Sequence, residues 1–223
     1  MIRKSHRPIS AAVRWGFTAW MVLWVTVILT HQGPQNFIWL CNLAQFITLW
    51  ALWRGNVLLA SSQVGTVSLV GVVWSVDLLV GLASGGQSHT GFTAYMFNDD
   101  LALIVRLTSL YHIGLPILLL WAVARLGYDW RGPWLQCVIS ALAVIAAWLL
   151  TEPHRNVNWV FYPFGVEQDW MPEFLWVGVL LIAYPLLIIW PGHFLVRGLL
   201  WWVSQTSDAD EATARPAARQ KRR

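Results

Sequence analysis

Charge is what this chain has least of. Asp, Glu, Lys and Arg make up 12% of its 223 residues, where a soluble domain carries about a quarter. That shortage excludes an ordinary water-soluble globule. Cysteine is scarce as well. Cys41 and Cys137 each fall in an apolar run, and no CxxC spacing occurs, so neither a disulfide framework nor a zinc site is expected. HxxxH, HExxH and paired-carboxylate patterns are missing too, which leaves a helical metal or haem site without ligands. No metal or cofactor is expected.

Apolar residues fill the space that charge vacates. They reach 57% of the chain, with 17 Trp. Tryptophan collects at membrane interfaces because its ring is apolar while its N–H wants a partner. The composition is that of a polytopic membrane protein. The formal charge of +4 comes mostly from the two ends of the chain. It therefore bears on orientation and does not point to nucleic acid.

A spanning helix takes about 20 mostly apolar residues. Roughly 13–31, 36–53, 60–83, 103–124, 133–151 and 174–199 qualify. They are separated by HQGPQN, RGN, SGGQSHTGF with NDD, GYDWRGP and the polar stretch TEPHRNVNW. Arg3, Lys4 and Arg7 before the first run resemble the start of a signal peptide, but no small-residue cleavage site follows, so the run is expected to be a retained anchor. The reading is all-α: a six-helix transmembrane bundle over 1–203 and a disordered basic cytoplasmic tail over 204–223. With both termini cytoplasmic, 13 of the 15 Lys and Arg residues fall inside, and only Arg106 and Arg155 fall outside. The expected location is the cell membrane, multi-pass.

At about 1.5 Å per residue, this topology gathers the polar residues into one band in the outer half. Cys41, Asn42 and Gln45 lie in the second helix, within FIWLCNLAQF. Asp77 is in the third helix, Arg106 and His112 are in the fourth, and Arg155, Asn156 and Asn158 lie in the fifth connection. Such residues inside a membrane are costly and usually face a cavity or one another. Asp77 reads either as a pocket residue or as an ion-pair partner of Arg106. His112, one turn before the helix-kinking Pro116, reads as a base or as a donor to a freed carbonyl or to Asp77. Cys41 reads as a nucleophile or as a small hydrophobe, and Asn42 and Gln45 as pocket lining or interhelical hydrogen-bonding glue. Cys137, without polar neighbours, is expected to be packing. Of the other histidines, His6 and His31 sit at membrane edges, His89 in the outer loop, and His193 on the inner side. His154 is placed near the pocket mouth.

The cysteine of FIWLCNLAQF, the histidine of YHIGLP and the segment NVNWVFYPFG together resemble the YwaF-like family of six-helix membrane proteins. That family is distantly similar to transmembrane phospholipid acyltransferases. The likeness runs over about residues 36–190 and rests on short motifs. It implies an acyl-accepting Cys41, a base at His112 and an Asn-x-Asn motif at Asn156 and Asn158. The chain departs from the family in Asn42–Leu43–Ala44–Gln45 after the cysteine and in Trp159 where Tyr is usual, and Asp77 has no secure counterpart. On this reading Cys41, His112 and Asp77 form a nucleophile, a base and an orienting acid. Asn42 or Asn158 would supply an oxyanion donor, and Arg106 and Arg155 would meet a phosphate head group. The partners would be membrane lipids. The competing reading is a non-catalytic protein: an assembly factor, an accessory subunit bound to a membrane-protein partner, or a small transporter.

Overall fold

The computed structural model describes residues 8–88, 90–163, 166 and 170–220, with side chains as far as Gln205. Arg3, Lys4, His6, Arg7, His89 and the basic end Lys221–Arg223 lie outside the described residues. The chain is 80% helix and, among the described residues, has no strand. Its helices are α1 (Ala11–His31), α2 (Leu40–Arg54), α3 (Val57–Ala83), α4 (Leu103–Thr108), α5 (Tyr111–Leu126), α6 (Gly132–Leu150), α7 (Glu173–Ala183) and α8 (Trp190–Gln220). Five helical stretches are long and apolar enough to cross a membrane: Ala11–His31, Val57–Ala83, Leu103–Leu126, Gly132–Leu150 and Glu173–Gln205. Together they make this a multi-pass membrane protein by length and composition.

Local chemistry sets the helix ends. Ser10 accepts a hydrogen bond from the Val13 N–H and caps α1. The RGN separator becomes a tight turn: Gly55 takes the left-handed conformation (φ 59°) that ends α2, and the Asn56 side chain accepts from the Leu59 N–H to start α3. α2 begins later than its apolar run. Gly33 has φ 76°, and Pro34 opens a 3-10 turn, Pro34–Ile38, so α-helical pairing starts only at Leu40.

The run 103–124, expected as one helix, is broken at Ser109–Leu110. The His112 and Ile113 N–H groups bond three residues back, to the Ser109 and Leu110 carbonyls, at 3.1 and 3.0 Å, which tightens the backbone locally. Pro116, four residues after His112, cannot donate to the His112 carbonyl. Gly71 of α3 lies against that carbonyl: a Cβ there would stand 2.5 Å from the His112 oxygen and 2.6 Å from Pro116 Cγ. The last apolar run continues through Pro185 by way of a π-helical stretch, Tyr184–Ile189. α8 then runs from Trp190 to Gln220. The Ala, Glu, Arg and Gln of that segment are strong helix formers.

α3 is the central element and packs against α2, α5, α6 and α8. It crosses α8 backbone to backbone where Gly65 faces Gly192. The main core surrounds Trp24, which is 1% exposed and has Phe37, Phe46 and Tyr111 rings within 6.0 Å. A second core joins α6 and α7 to the 157–161 segment through Val144, Val160, Val177 and Leu180. The outer surface carries large exposed apolar side chains, among them Leu79, Ile117, Leu142, Leu149 and Leu187, the pattern that lipid requires and water penalises.

The connections gather at two ends. At one end Arg155 donates to the Gln32 carbonyl (2.6 Å), the Glu152 N–H donates to Gln35 (3.2 Å), and Phe92 meets Trp159 edge-on. The 32–39, 84–102 and 151–163 segments are thereby tied together. At the other end the Asp129 N–H donates to Ser61 (2.9 Å), and Tyr128 is hydrogen-bonded to His193. There the Arg131 guanidinium holds the Asp129 carboxyl below the usual carboxylate range.

Candidate functional site

Cys41 occupies the first turn of α2. The 3-10 turn before it is fixed by the NVNW segment. Asn158 is 2% exposed. Its Oδ1 accepts from the Leu40 N–H (2.9 Å) and its Nδ2 donates to the Ile38 carbonyl (2.9 Å). Its own carbonyl accepts from the Tyr184 hydroxyl at 2.7 Å. Asn156 closes the same loop on itself, accepting from the Phe161 and Tyr162 N–H groups and donating to the Tyr162 carbonyl. Asn156, Asn158 and Trp159 all have positive φ (44°, 53° and 59°), a region Asn tolerates and branched or bulky residues avoid. The Asn-x-Asn motif therefore acts as a clamp on the start of α2, and its polar groups are spent on backbone.

This gives a direct expectation. Asn158→Leu leaves the Leu40 N–H and the Ile38 carbonyl without their partner and forces a larger side chain into positive φ. Unfolding in mild detergent should show a loss of about 2–4 kcal/mol. Stability equal to the parent chain would contradict the clamp.

Around Cys41 the polar groups form a chain of contacts. Its thiol lies 4.0 Å from Asn42 Oδ1 and interacts with the Tyr111 hydroxyl. That hydroxyl donates to Asn42 Oδ1 at 2.6 Å, and Asn42 Nδ2 donates to the Asn36 carbonyl at 2.7 Å. Next to Tyr111, the His112 ring stacks on the Tyr111 ring (4.1 Å) and on Trp74 (4.9 Å). Trp74 donates to the Tyr95 hydroxyl at 3.1 Å. His112 Nδ1 faces the Ser109 carbonyl at 2.8 Å, which makes Nδ1 the protonated nitrogen and leaves Nε2 as the lone-pair nitrogen. No hydrogen bond among the described residues uses Nε2.

The residues expected to work together divide into two groups. Cys41, Asn42 and Tyr111 are neighbours, and the His112 ring adjoins that group through its stacking on the Tyr111 ring. Asp77 stands apart from them, and this changes its reading. Its carboxylate is 4% exposed and accepts from Ser88 Oγ (2.7 Å), the Thr90 N–H (3.2 Å), the Thr93 N–H (2.9 Å) and Thr93 Oγ1 (2.6 Å). None of these bonds goes to His112 or Arg106, so the geometry supports neither an orienting acid nor an ion pair with Arg106. Hydroxyls and backbone N–H groups of the adjoining loop satisfy the carboxylate, whereas Arg106 pairs with Asp99 (3.3 Å) and donates to the Met96 carbonyl. Gln45, fully buried, accepts from the Trp20 indole at 2.8 Å and so joins α2 to α1. Arg155 holds the connections together through Gln32 and Glu152. His154 lies 3.5 Å from Glu152.

Tyr111, Tyr95, Tyr184 and Trp74 escaped the sequence reading. Tyr111 stands beside His112 in YHIGLP, and the chain has 5 Tyr against 17 Trp. A tyrosine within a spanning run, away from the interface, was the available signal. Among the described residues, no group of three or more His, Cys, Asp or Glu side chains is placed to hold a metal ion. Compared with known proteins, the chain matches no family model, no curated protein and no solved structure.

Proposed function

We propose that this chain is a six-span membrane protein, both ends cytoplasmic, whose outer half presents Cys41 as an acyl-accepting thiol to a membrane lipid. α2 has 15 residues, about 22 Å of α-helix. With the 3-10 turn Pro34–Ile38 in front of it, the helical path reaches roughly 33 Å, close to the ~30 Å of a hydrocarbon core. Connections collected at two ends, and 13 of 15 basic residues assigned to one side, support the count and the orientation. Single cysteines placed at Gly86 and at Ser204 of a Cys41→Ala, Cys137→Ala background should react with a membrane-impermeant maleimide from opposite sides. Reaction of both from one side would sink the topology.

One observation carries the functional reading: the Cys41 thiol sits at a clamped helix start, beside the Tyr111 hydroxyl and one ring away from His112. The thiol attacks the acyl carbonyl of a lipid ester. Its proton passes to His112 Nε2, the lipid alcohol leaves with a proton returned from that nitrogen, and a thioester remains on Cys41. Water or a second hydroxyl then takes the acyl group. Backbone N–H groups at the α2 start and the Tyr111 hydroxyl offset part of the cost of negative charge on sulfur or oxyanion. The likeness of FIWLCNLAQF, YHIGLP and NVNWVFYPFG to the YwaF-like family points the same way. Cys41→Ala should abolish acyl transfer from, or hydrolysis of, a fluorescent phospholipid while the protein inserts and unfolds as the parent does. Undiminished turnover in Cys41→Ala would overturn the reading.

A second reading is favoured by Asp77. Because its carboxylate, Arg106, Arg155, Asn156 and Asn158 are all engaged in holding loops and helix starts, the polar band can serve architecture alone, as in an accessory subunit or assembly factor. Wild-type protein that neither acylates at Cys41 nor turns over lipid would select this reading.

A further inference from the structure

The opposite end of the α1–α2 pair, away from Cys41, holds two arginines on tryptophan faces. The Arg14 guanidinium lies 5.2 Å from the Trp53 ring centre, and that of Arg54 lies 5.2 Å from Trp50. Trp53 is fixed by its N–H bond to Thr18 (3.0 Å) and by an edge-on contact with Trp15 at 4.9 Å. Among the described residues neither arginine has a carboxylate partner, and Arg14 Nε is buried without an acceptor. Two guanidinium groups are thus oriented but not neutralised, as a ligand phosphate would require.

An open cavity of about 420 Å³ runs along the same face of α2, lined by Phe46, Leu49, Trp50, Trp53 and Arg54. From Phe46 to Arg54 it extends about 12 Å along the helix. An apolar trough that ends at Arg54, with Arg14 alongside, matches one chemistry: an acyl chain below and an anionic phosphate at the membrane surface.

We propose that Arg14, Arg54, Trp50 and Trp53 form a binding site for an anionic phospholipid, separate from the Cys41 pocket. The chain of the lipid lies in the trough from Phe46 to Trp53, and its phosphate bridges the two arginines. On the proposed topology this is the cytoplasmic leaflet, but the site chemistry does not depend on that orientation. Trp50 and Trp53 hold the guanidinium planes, so the site is formed before lipid arrives.

Native mass spectrometry of the full chain, released from detergent with equal phosphatidylglycerol and phosphatidylcholine, tests this. The parent should retain phosphatidylglycerol preferentially, and Arg14→Gln/Arg54→Gln should lower that preference about thirtyfold. Arg14→Lys/Arg54→Lys, which keeps the charge, should retain much of it. Arg125→Gln, removing the arginine that lies over Trp121, should leave it unchanged. Helical content by circular dichroism identifies any variant that fails to fold. Equal retention of the two lipids by the parent would overturn the proposal, as would a preference that survives in the folded double Gln variant. Displacement of the lipid by glycerol 3-phosphate at equal concentration would also overturn it, because the trough would then contribute nothing.

Discussion

Asp77→Leu should destabilise the protein by about 3–5 kcal/mol in detergent unfolding, the largest effect expected of any single change at the polar band. The substitution takes the acceptor from four donors at once. Two of these belong to Thr93, which is fully buried, so water does not replace the lost bonds there. Asp77→Asn keeps the shape and one oxygen. Its amide nitrogen faces the Thr90 N–H at best, which costs one bond and about 1–2 kcal/mol. Limited proteolysis separates this from a general loss of fold. Cleavage within 84–93 should rise first and most in the Leu variant, because the carboxylate is what docks that loop onto α3. Parent-like stability of Asp77→Leu would mean that the loop is held by something else.

The second large effect concerns reactivity. Tyr111→Phe removes the hydroxyl that meets both the thiol and Asn42, while the ring and its stacking on His112 remain. Labelling of Cys41 by a long-chain acyl probe with a thiol-reactive group should slow by roughly tenfold to a hundredfold, the range of one lost positioning hydrogen bond. His112→Ala should slow it as much or more by removing the base. Labelling of Cys137, in α6 and without such neighbours, should be unaffected by either change. Equal and unaltered labelling of both cysteines would leave Cys41 an ordinary packed thiol.

The helices were legible because lipid imposes long apolar runs, and capping residues such as Asn56 and the Gly55 turn mark their ends. The depth count sets Cys41, Asn42 and His112 in one band, and in the structure Asn42 meets Tyr111, the residue before His112. It did not distinguish which polar group answers which. Asp77 was read against Arg106 and His112, charged or basic groups at similar depth. The structure satisfies it with Ser88, Thr90 and Thr93, which stand 11 to 16 residues along the chain from it in the SHTGFT stretch. Short-range donors cost little loop entropy to bring in, which is a reason to search the adjoining loop before a distant helix.

Backbone details were harder to read. The α4–α5 break at Ser109–Leu110 needs the local pairing of His112 and Ile113 with the carbonyls three residues back, and no glycine or proline stands at the break to announce it. The late start of α2 was more accessible, since Gly33–Pro34 favours a turn. The Asn-x-Asn motif was read as site chemistry because it stood beside the pocket. Its positive φ angles and backbone bonds make it the clamp that places Cys41, a supporting role that composition and spacing do not distinguish from a catalytic one.

Central to this account is a thiol that accepts an acyl group, and intact-protein mass spectrometry reads that event directly. Purified protein incubated with a short-lived excess of a phospholipid bearing a single acyl species should gain the mass of the corresponding fatty acid less water. The adduct should map to the peptide containing Cys41 and disappear with neutral hydroxylamine, as a thioester does. It should be absent in Cys41→Ala and present in Cys137→Ala. An adduct that persists in Cys41→Ala, or a parent chain that stays unmodified while it is folded and embedded in that lipid, would contradict the account.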